Sequence, residues 1–244
     1  MGDAMRTGMD NNSGRDAVRP WFQGLREKPL QGLTVLLVED SRLASEAMRL
    51  LCLRSGARIR RADGLQSAER HLRLYRPGVA IVDMGLPDGD GGELIARIAT
   101  MSPRIPVVLG LSGDPTLEDA ALAAGADGFL AKPVDNLALF QQAILGRLPD
   151  AARPMGLRLL PDETVQPDAT ALLDDLAYLA QMLMPDMDDG LRGYAAGFLA
   201  GLGRVANDAS LGAAAAELAR EGDVSAILQV RSLIEHRLAG GRVM

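Results

Sequence analysis

Between residues 33 and 148, short apolar runs alternate with segments in which apolar residues recur at helical spacing. The apolar runs are continuous, which is typical of strands that are buried on both faces of a parallel sheet. The predicted strands cover residues 33–38, 57–61, 79–82, 105–111 and 128–131. The predicted helices follow the potential cap Ser41 and cover residues 65–74, 91–98, 116–124 and 136–145. This order predicts an α/β domain with a doubly wound, five-stranded parallel sheet.

The segments that flank this region have different patterns. Residues 1–32 begin with a polar stretch and predict a partly disordered N-terminal arm. Trp21, Phe22 and Leu25 are spaced like one face of a helical turn, and we expect them to hold the arm against the next domain. Docking of these three residues to a partner is the alternative. Residues 149–167 contain prolines and predict a linker.

Beyond the linker, residues 168–244 contain helix-period patterns and no strand pattern. The predicted helices cover residues 169–183, 190–205, 210–220 and 224–238. N-caps are predicted at Asp168, Asp189, Asp208 and Asp223. The second half of the chain is therefore predicted to be an all-α helical bundle that serves as an output or interaction domain.

Composition narrows the class of protein. The formal net charge is -6, and residues 151–244 carry 8 basic and 13 acidic side chains, which disfavours contact with a nucleic-acid backbone. Cys52 is the single cysteine, so a disulfide framework and a cysteine metal cluster are excluded. The N-terminus lacks a secretory pattern, and no apolar run approaches the roughly 18 residues of a membrane span. We expect a cytoplasmic protein without a membrane partner.

Charged and hydroxyl side chains stand at four predicted strand ends. Glu39 and Asp40 follow the first strand, and Asp83 follows the third. Ser112 follows the fourth strand, and Lys132, one of only two lysines, follows the fifth. Because functional groups of doubly wound sheets collect beyond the carboxyl ends of the strands, we expect these side chains to form one cluster.

Three neighbouring carboxylates repel each other unless a cation lies among them. A set of ligands made only of oxygen atoms suits Mg²⁺ or Mn²⁺ better than zinc. A divalent cation, an ammonium and a hydroxyl would together stabilise the charge that develops during phosphoryl transfer. The cluster therefore predicts a site at which one carboxylate accepts a phosphoryl group.

Four ordered motifs resemble the receiver domains of two-component response regulators, whose fold is flavodoxin-like. They are VLLVEDS at 35–41, VDMGLPDGDG at 82–91, LSG at 111–113 and GADGFLAKP at 125–133. The resemblance implies that Asp83 is the phosphoacceptor and that Asp40, Asp83 and the Gly85 carbonyl ligate Mg²⁺, with Glu39 acting through water. It also implies that Lys132 pairs with phosphoryl oxygens, that Ser112 and Phe129 form the switch, and that Pro133 follows a cis peptide bond.

The same resemblance implies a histidine kinase or a phosphotransfer protein as the phosphoryl donor. It implies no enzymatic activity beyond the chain's own aspartyl phosphorylation and dephosphorylation. Phe129 lacks the hydroxyl of a tyrosine, which excludes an output that recognises that hydroxyl. Gly85 offers no side chain beside the phosphate, so the lifetime of the phosphoryl group stays open.

Three hypotheses address the helical half. A DNA-binding transcription regulator is disfavoured by acidity, since only Gln229, Arg231, His236 and Arg237 in the last helix suit DNA contact. A degenerate histidine-phosphotransfer-like bundle is suggested by residues 234–240, IEHRLAG, although alanine replaces lysine and eight residues follow His236. We favour a helical domain that binds a downstream protein or forms a homodimer.

Two surfaces are candidates for such contacts. A dimer or partner face is offered by Leu176, Leu179, Leu183, Met182, Met184 and Met187, although a core role is the default for each. A basic surface around the first two helices comprises Arg54, Arg58, Arg60, Arg61, Arg70, Arg73 and Arg76. Its default interpretation is a solvated helix face, and the alternative is docking to a kinase or to the acidic half of this chain.

Overall fold

The computed structural model describes residues 28–154, 161–220 and 222–241. The N-terminal half contains a five-stranded parallel sheet with the order β2-β1-β3-β6-β7. The strands of the sheet are β1 (Thr34–Val38), β2 (Arg58–Ala62), β3 (Val79–Asp83), β6 (Val107–Ser112) and β7 (Gly128–Ala131). A short hairpin, β4 (Gly85–Leu86) and β5 (Gly89–Asp90), lies beyond the end of β3. The predicted doubly wound parallel sheet is confirmed.

Helices cover both faces of this sheet. They are α1 (Arg42–Ser55), α2 (Leu65–Leu74), α3 (Gly91–Ala99), α4 (Glu118–Ala123) and α5 (Leu137–Leu145). Helices α1 and α5 pack on one face in a core that includes Met48, Leu51 and Phe140. Helices α2, α3 and α4 pack on the other face, where Ala68, Ile95 and Ala121 are fully buried. Burial on both faces explains why the central strands are continuous apolar runs.

The C-terminal half is an all-α bundle, as predicted. Its helices are α6 (Ala169–Met182), α7 (Asp189–Val205), α8 (Ala209–Arg220) and α9 (Val224–Gly241). Leu179, Leu199, Leu218 and Ile234, one from each helix, are fully buried in a single core. Among the described residues, no helix combines the length and the hydropathy required to cross a membrane.

Several details of the prediction were wrong. The fourth strand of the main sheet begins at Val107 and not at residue 105, and the β4–β5 hairpin was not predicted. The N-cap of α7 is Asp188, whose carboxylate accepts from the Leu191 amide, because Asp189 already belongs to the helix. The caps predicted at Asp168, Asp208 and Asp223 accept from backbone amides near the helix starts.

The predicted contact face on α6 is largely core. Leu176, Leu179 and Leu183 are at most 1% exposed, because they point into the bundle and not toward solvent. Met182 and Met187 pack partly buried against the same core, and Met184 is 48% exposed. These leucines therefore offer no surface for a homodimer. Trp21, Phe22 and Leu25 lie outside the described residues.

Candidate functional site

Three carboxylates meet at the carboxyl edge of the sheet. Glu39 and Asp40 follow β1, and Asp83 is the last residue of the neighbouring strand β3. One oxygen of each carboxylate lies within 4.8 Å of an oxygen of the other two. Parallel pairing of β1 with β3 produces this proximity, because it places the ends of both strands at one edge.

Lys132 reaches the cluster from the end of β7. Its Nζ lies 2.6 Å from Asp83 Oδ2 and 2.6 Å from Glu39 Oε2. Burial alone would lower the pKa of Lys132, but the carboxylates of Glu39 and Asp83 raise it, so the ammonium stays charged. The cis peptide bond between Lys132 and Pro133, expected from the resemblance, is present.

Burial disfavours the charged forms of two neighbouring acids, Glu39 and Asp40. Burial, followed by the neighbouring carboxylates, raises the pKa of Glu39 to about 8 despite Lys132. Burial also raises the pKa of Asp40 to about 6, while a hydrogen bond from Tyr194 lowers it. The negative charge of these carboxylates is only partly compensated, and their oxygen atoms are the ligands that a hard divalent cation prefers. Asp40 and Asp83 would hold such a cation, with Glu39 beside it.

Ser112 and Gly85 line the same cavity as the cluster, whereas Phe129 does not line it. Ser112 Oγ accepts a hydrogen bond from the Asp114 amide at 3.1 Å and lines the same cavity as Asp83. The Gly85 amide donates to Asp83 Oδ1 at 3.2 Å, and a Cβ at Gly85 would meet no atom within 4 Å. Phe129 is half-buried against the core beneath α4. Ser112 and Gly85 therefore lie close to Asp83, and Phe129 packs into the core on one face of the sheet.

Sequence reasoning missed that the helical bundle also contributes to this site. The Tyr194 hydroxyl, on α7, donates a short hydrogen bond to Asp40 Oδ2. The Asp175 carboxylate, on α6, accepts from Ser41 Oγ at 2.8 Å and from the Arg42 and Leu43 amides at 2.9 Å. Asp175 thus satisfies free amides at the start of α1, directly after the acidic pair.

Apolar packing extends the contact between the two halves. Leu43 of α1 is 3% exposed and belongs to the core of the bundle. Arg42 also forms an exposed ion pair with Asp174 at 2.7 Å. The only sequence signals were Asp174 and Asp175 themselves, which resemble ordinary solvated residues of an acidic helix. A contact across about 130 positions of the chain leaves no local pattern.

Part of the predicted basic surface faces acidic groups of the C-terminal half. Arg54 forms an ion pair with Glu163 of the linker, and Arg61 lines a surface pocket with Asp168 and Asp174. His236, by contrast, is exposed on α9 and does not line the cavity around Asp83. The structure therefore brings the strand-end residues together but leaves His236 apart from them.

Comparisons with known proteins find similarity over about half of this chain. Residues 35–144 match the family model of the response regulator receiver domain. Transcriptional regulatory protein PhoP of Escherichia coli O157:H7 is 31% identical over 119 residues, 47% of this chain and 53% of that protein. Virulence transcriptional regulatory protein PhoP of Salmonella typhimurium (strain 14028s / SGSC 2262) is 32% identical over the same shares. The chain thus spans about half the length of the curated relatives it matches.

A solved structure is also similar to part of this chain. The signal receiver domain of a signal transduction histidine kinase from Syntrophus aciditrophicus is 27% identical with a TM-score of 0.44. That match covers 52% of this chain and 98% of that chain. The family assignment made from the four motifs is confirmed for the α/β domain, and the helical bundle lies outside the family-model match.

Proposed function

We propose that this chain, whose residues 35–144 are a response regulator receiver domain, accepts a phosphoryl group on Asp83. The observation that carries the proposal is the contact of Lys132 Nζ with Asp83 Oδ2 at 2.6 Å, inside a cluster suited to a divalent cation. The donor is a phosphohistidine of a histidine kinase or of a phosphotransfer protein. Phosphorylation then changes the interactions of the helical bundle.

In the transfer step, an Asp83 carboxylate oxygen attacks the phosphorus atom of the phosphohistidine. The new O–P bond forms as the P–N bond breaks, and the electron pair of that bond stays on the imidazole nitrogen. Mg²⁺ or Mn²⁺, held by Asp40, Asp83 and the Gly85 carbonyl with Glu39 acting through water, would neutralise charge on the phosphoryl oxygens. Lys132 supplies a fixed positive charge to the same oxygens.

Ser112 and Phe129 are the proposed switch. The Ser112 hydroxyl moves to donate to a phosphoryl oxygen, and Phe129 turns inward as the space beside Ser112 opens. Ser112 ends β6 and Phe129 lies within β7, and these two strands pair with each other, so movement at Ser112 is transmitted to the neighbouring strand. The chain needs no enzymatic activity beyond formation and loss of its own acyl phosphate.

The bundle acts through protein contacts in this proposal. Two DNA-facing candidates of its last helix are already paired, Arg237 with Asp208 and Arg231 with Glu235. Transcription regulation is the alternative, because the curated relatives carry that name. A gel shift with genomic DNA fragments at moderate salt distinguishes the two hypotheses. Specific binding of a fragment would favour a DNA-binding transcription regulator over a protein-binding bundle.

Phosphorylation itself is tested with phosphoramidate as the donor and phosphate-affinity electrophoresis as the readout. Wild type should acquire one phosphoryl group in the presence of Mg²⁺ and none after chelation with EDTA. Asp83→Asn should acquire none in either condition, because the nucleophilic oxygen is replaced by an amide. Equal labelling of wild type and Asp83→Asn would refute the proposed function.

A further inference from the structure

Helix α7 of the bundle lies over the phosphorylation site. A cavity of about 250 Å³ separates the two halves of the chain. Asp40, Asp83 and Lys132 line it from the receiver side, and Tyr194 and Arg204 line it from α7. The bundle is therefore not a distant output module, because its surface completes the wall of the cavity into which Asp83 opens.

Glycine recurs along the face of α7 that looks into this cavity. Gly193, Gly197 and Gly201 recur every four residues, so they share one face of the helix, and all three line the cavity. A Cβ at any of the three would meet no atom within 4 Å. The absence of side chains leaves room for a phosphoryl group between α7 and Asp83.

Arg204, at the end of α7, brings positive charge to the same space. Its guanidinium lies against the backbone of Gly113, where any Cβ would overlap it. Gly113 directly follows Ser112, the hydroxyl that the receiver motif assigns to the phosphoryl group. Within the described parts of the chain, the Arg204 guanidinium forms no hydrogen bond or ion pair. Asp114 lines the same cavity, and the positive charge of Arg204, after the hydrogen bonds from Thr116, helps to lower the pKa of its carboxyl. The Arg204 guanidinium is thus available to a ligand.

The charge of the site changes in a way that Arg204 would offset. With a divalent cation bound, the three carboxylates and Lys132 sum to zero formal charge. Replacing the Asp83 carboxylate by an acyl phosphate of charge about -2 leaves about one unit of negative charge uncompensated. Lys132 and Arg204 are the two cationic residues that line the cavity in the described chain.

We propose that Arg204 binds the phosphoryl group on Asp83, so that phosphorylation tightens the docking of the helical bundle onto its own receiver domain. Guanidinium groups match the geometry of phosphoryl oxygens and form strong charge-assisted hydrogen bonds. The proposal rests on phosphorylation of Asp83. In this proposal the bundle binds its own receiver domain more tightly once Asp83 is phosphorylated. A bundle that only covered the unphosphorylated site would instead be released by phosphorylation.

The test measures amide hydrogen exchange of residues 189–205 in the full chain, before and after phosphorylation with phosphoramidate and Mg²⁺. Phosphorylation of wild type should slow this exchange by about tenfold, the effect of one charge-assisted hydrogen bond. Arg204→Ala should be phosphorylated to the same extent but show less than about a twofold slowing. Arg204→Lys should retain part of the effect, and Arg231→Ala, an equal loss of charge on α9, should match wild type.

The outcomes are distinct. Exchange in the unphosphorylated state should be nearly the same for wild type and Arg204→Ala, since Arg204 forms no hydrogen bond or ion pair with the residues that the structure describes; a merely structural role would accelerate it. Equal slowing in wild type and Arg204→Ala would overturn the inference and leave phosphorylation of Asp83 intact. Faster exchange of α7 after phosphorylation would overturn it as well. Absence of labelling in wild type would instead refute the proposed function.

Discussion

The two halves of this chain differ in where their functional residues and contact residues lie. In the receiver half, Asp40, Asp83 and Lys132 lie at strand ends, after apolar runs that are easily recognised in the sequence. The bundle half consists of helices rich in alanine, leucine and glycine, and its contacts with the receiver depend on single residues such as Asp175 and Tyr194. Functional residues that follow a repeated strand–helix unit can be predicted from the sequence, whereas contacts between distant segments cannot.

Lys132→Ala changes only the receiver half and should have the largest effect, a slower phosphorylation of Asp83. The Lys132 ammonium is the fixed cation that contacts Asp83, so its removal should slow phosphorylation by phosphoramidate roughly 10²–10³-fold. The matched control is Lys28→Ala, which removes the other lysine, an exposed one. Rates within threefold of each other for the two variants would show that Lys132 does not stabilise the transfer.

Breaking the bundle half alone should cost stability and leave labelling intact. Leu218 is fully buried in the bundle core, so Leu218→Ala should lower the free energy of unfolding by about 2–5 kcal/mol. Denaturant titrations followed by circular dichroism measure this, with the 51% exposed Leu228→Ala as control. Loss of Asp83 labelling in Leu218→Ala would mean that the receiver site requires the bundle.

Separating the two halves is the next smaller change. Asp175→Ala removes three hydrogen bonds to the start of α1 and should weaken docking by about 1–3 kcal/mol. Hydrogen exchange in α7 should accelerate accordingly. Asp174→Ala, which loses an exposed ion pair, should change docking by less than about 1 kcal/mol. If both variants behave alike, Asp175 does not hold the halves together.

The smallest effect concerns Cys52, which lies in the receiver core at 1% exposure. Burial raises the pKa of its thiol to about 12, so the reactive thiolate is scarce at any lower pH. The native chain should not react with N-ethylmaleimide at pH 8, whereas the urea-unfolded chain should react fully. Rapid native labelling, followed by mass spectrometry, would show that the core between α1 and the sheet opens readily.

Particular residues show how far sequence reasoning reached. The five strands and Glu39, Asp83, Ser112 and Lys132 were predicted, because parallel strands bring their carboxyl ends to one edge. The β4–β5 hairpin was missed, since strands of two residues leave no periodicity. The cap of α7 was placed one residue late, because Asp188 and Asp189 are equally suited to it.

The bundle shows the limit more clearly. Leu176 and Leu179 were predicted as core or contact residues, and only the packing of four helices decides for the core. Tyr194 lies 154 positions from Asp40, and nothing near it in the sequence indicates a bond to this proposed metal ligand. Asp175 is one acidic residue among many until α1 is placed beside it. These contacts arise from tertiary packing and not from local pattern.

Locating the phosphoryl group on the full chain tests the phosphorylation of Asp83 most directly. The chain is labelled with phosphoramidate and Mg²⁺, digested, and mapped by mass spectrometry. We predict a single phosphorylated residue, Asp83, and no label on His236, which lies away from the cavity. A phosphoryl group on any other residue, or one that persists in Asp83→Asn, would contradict the account.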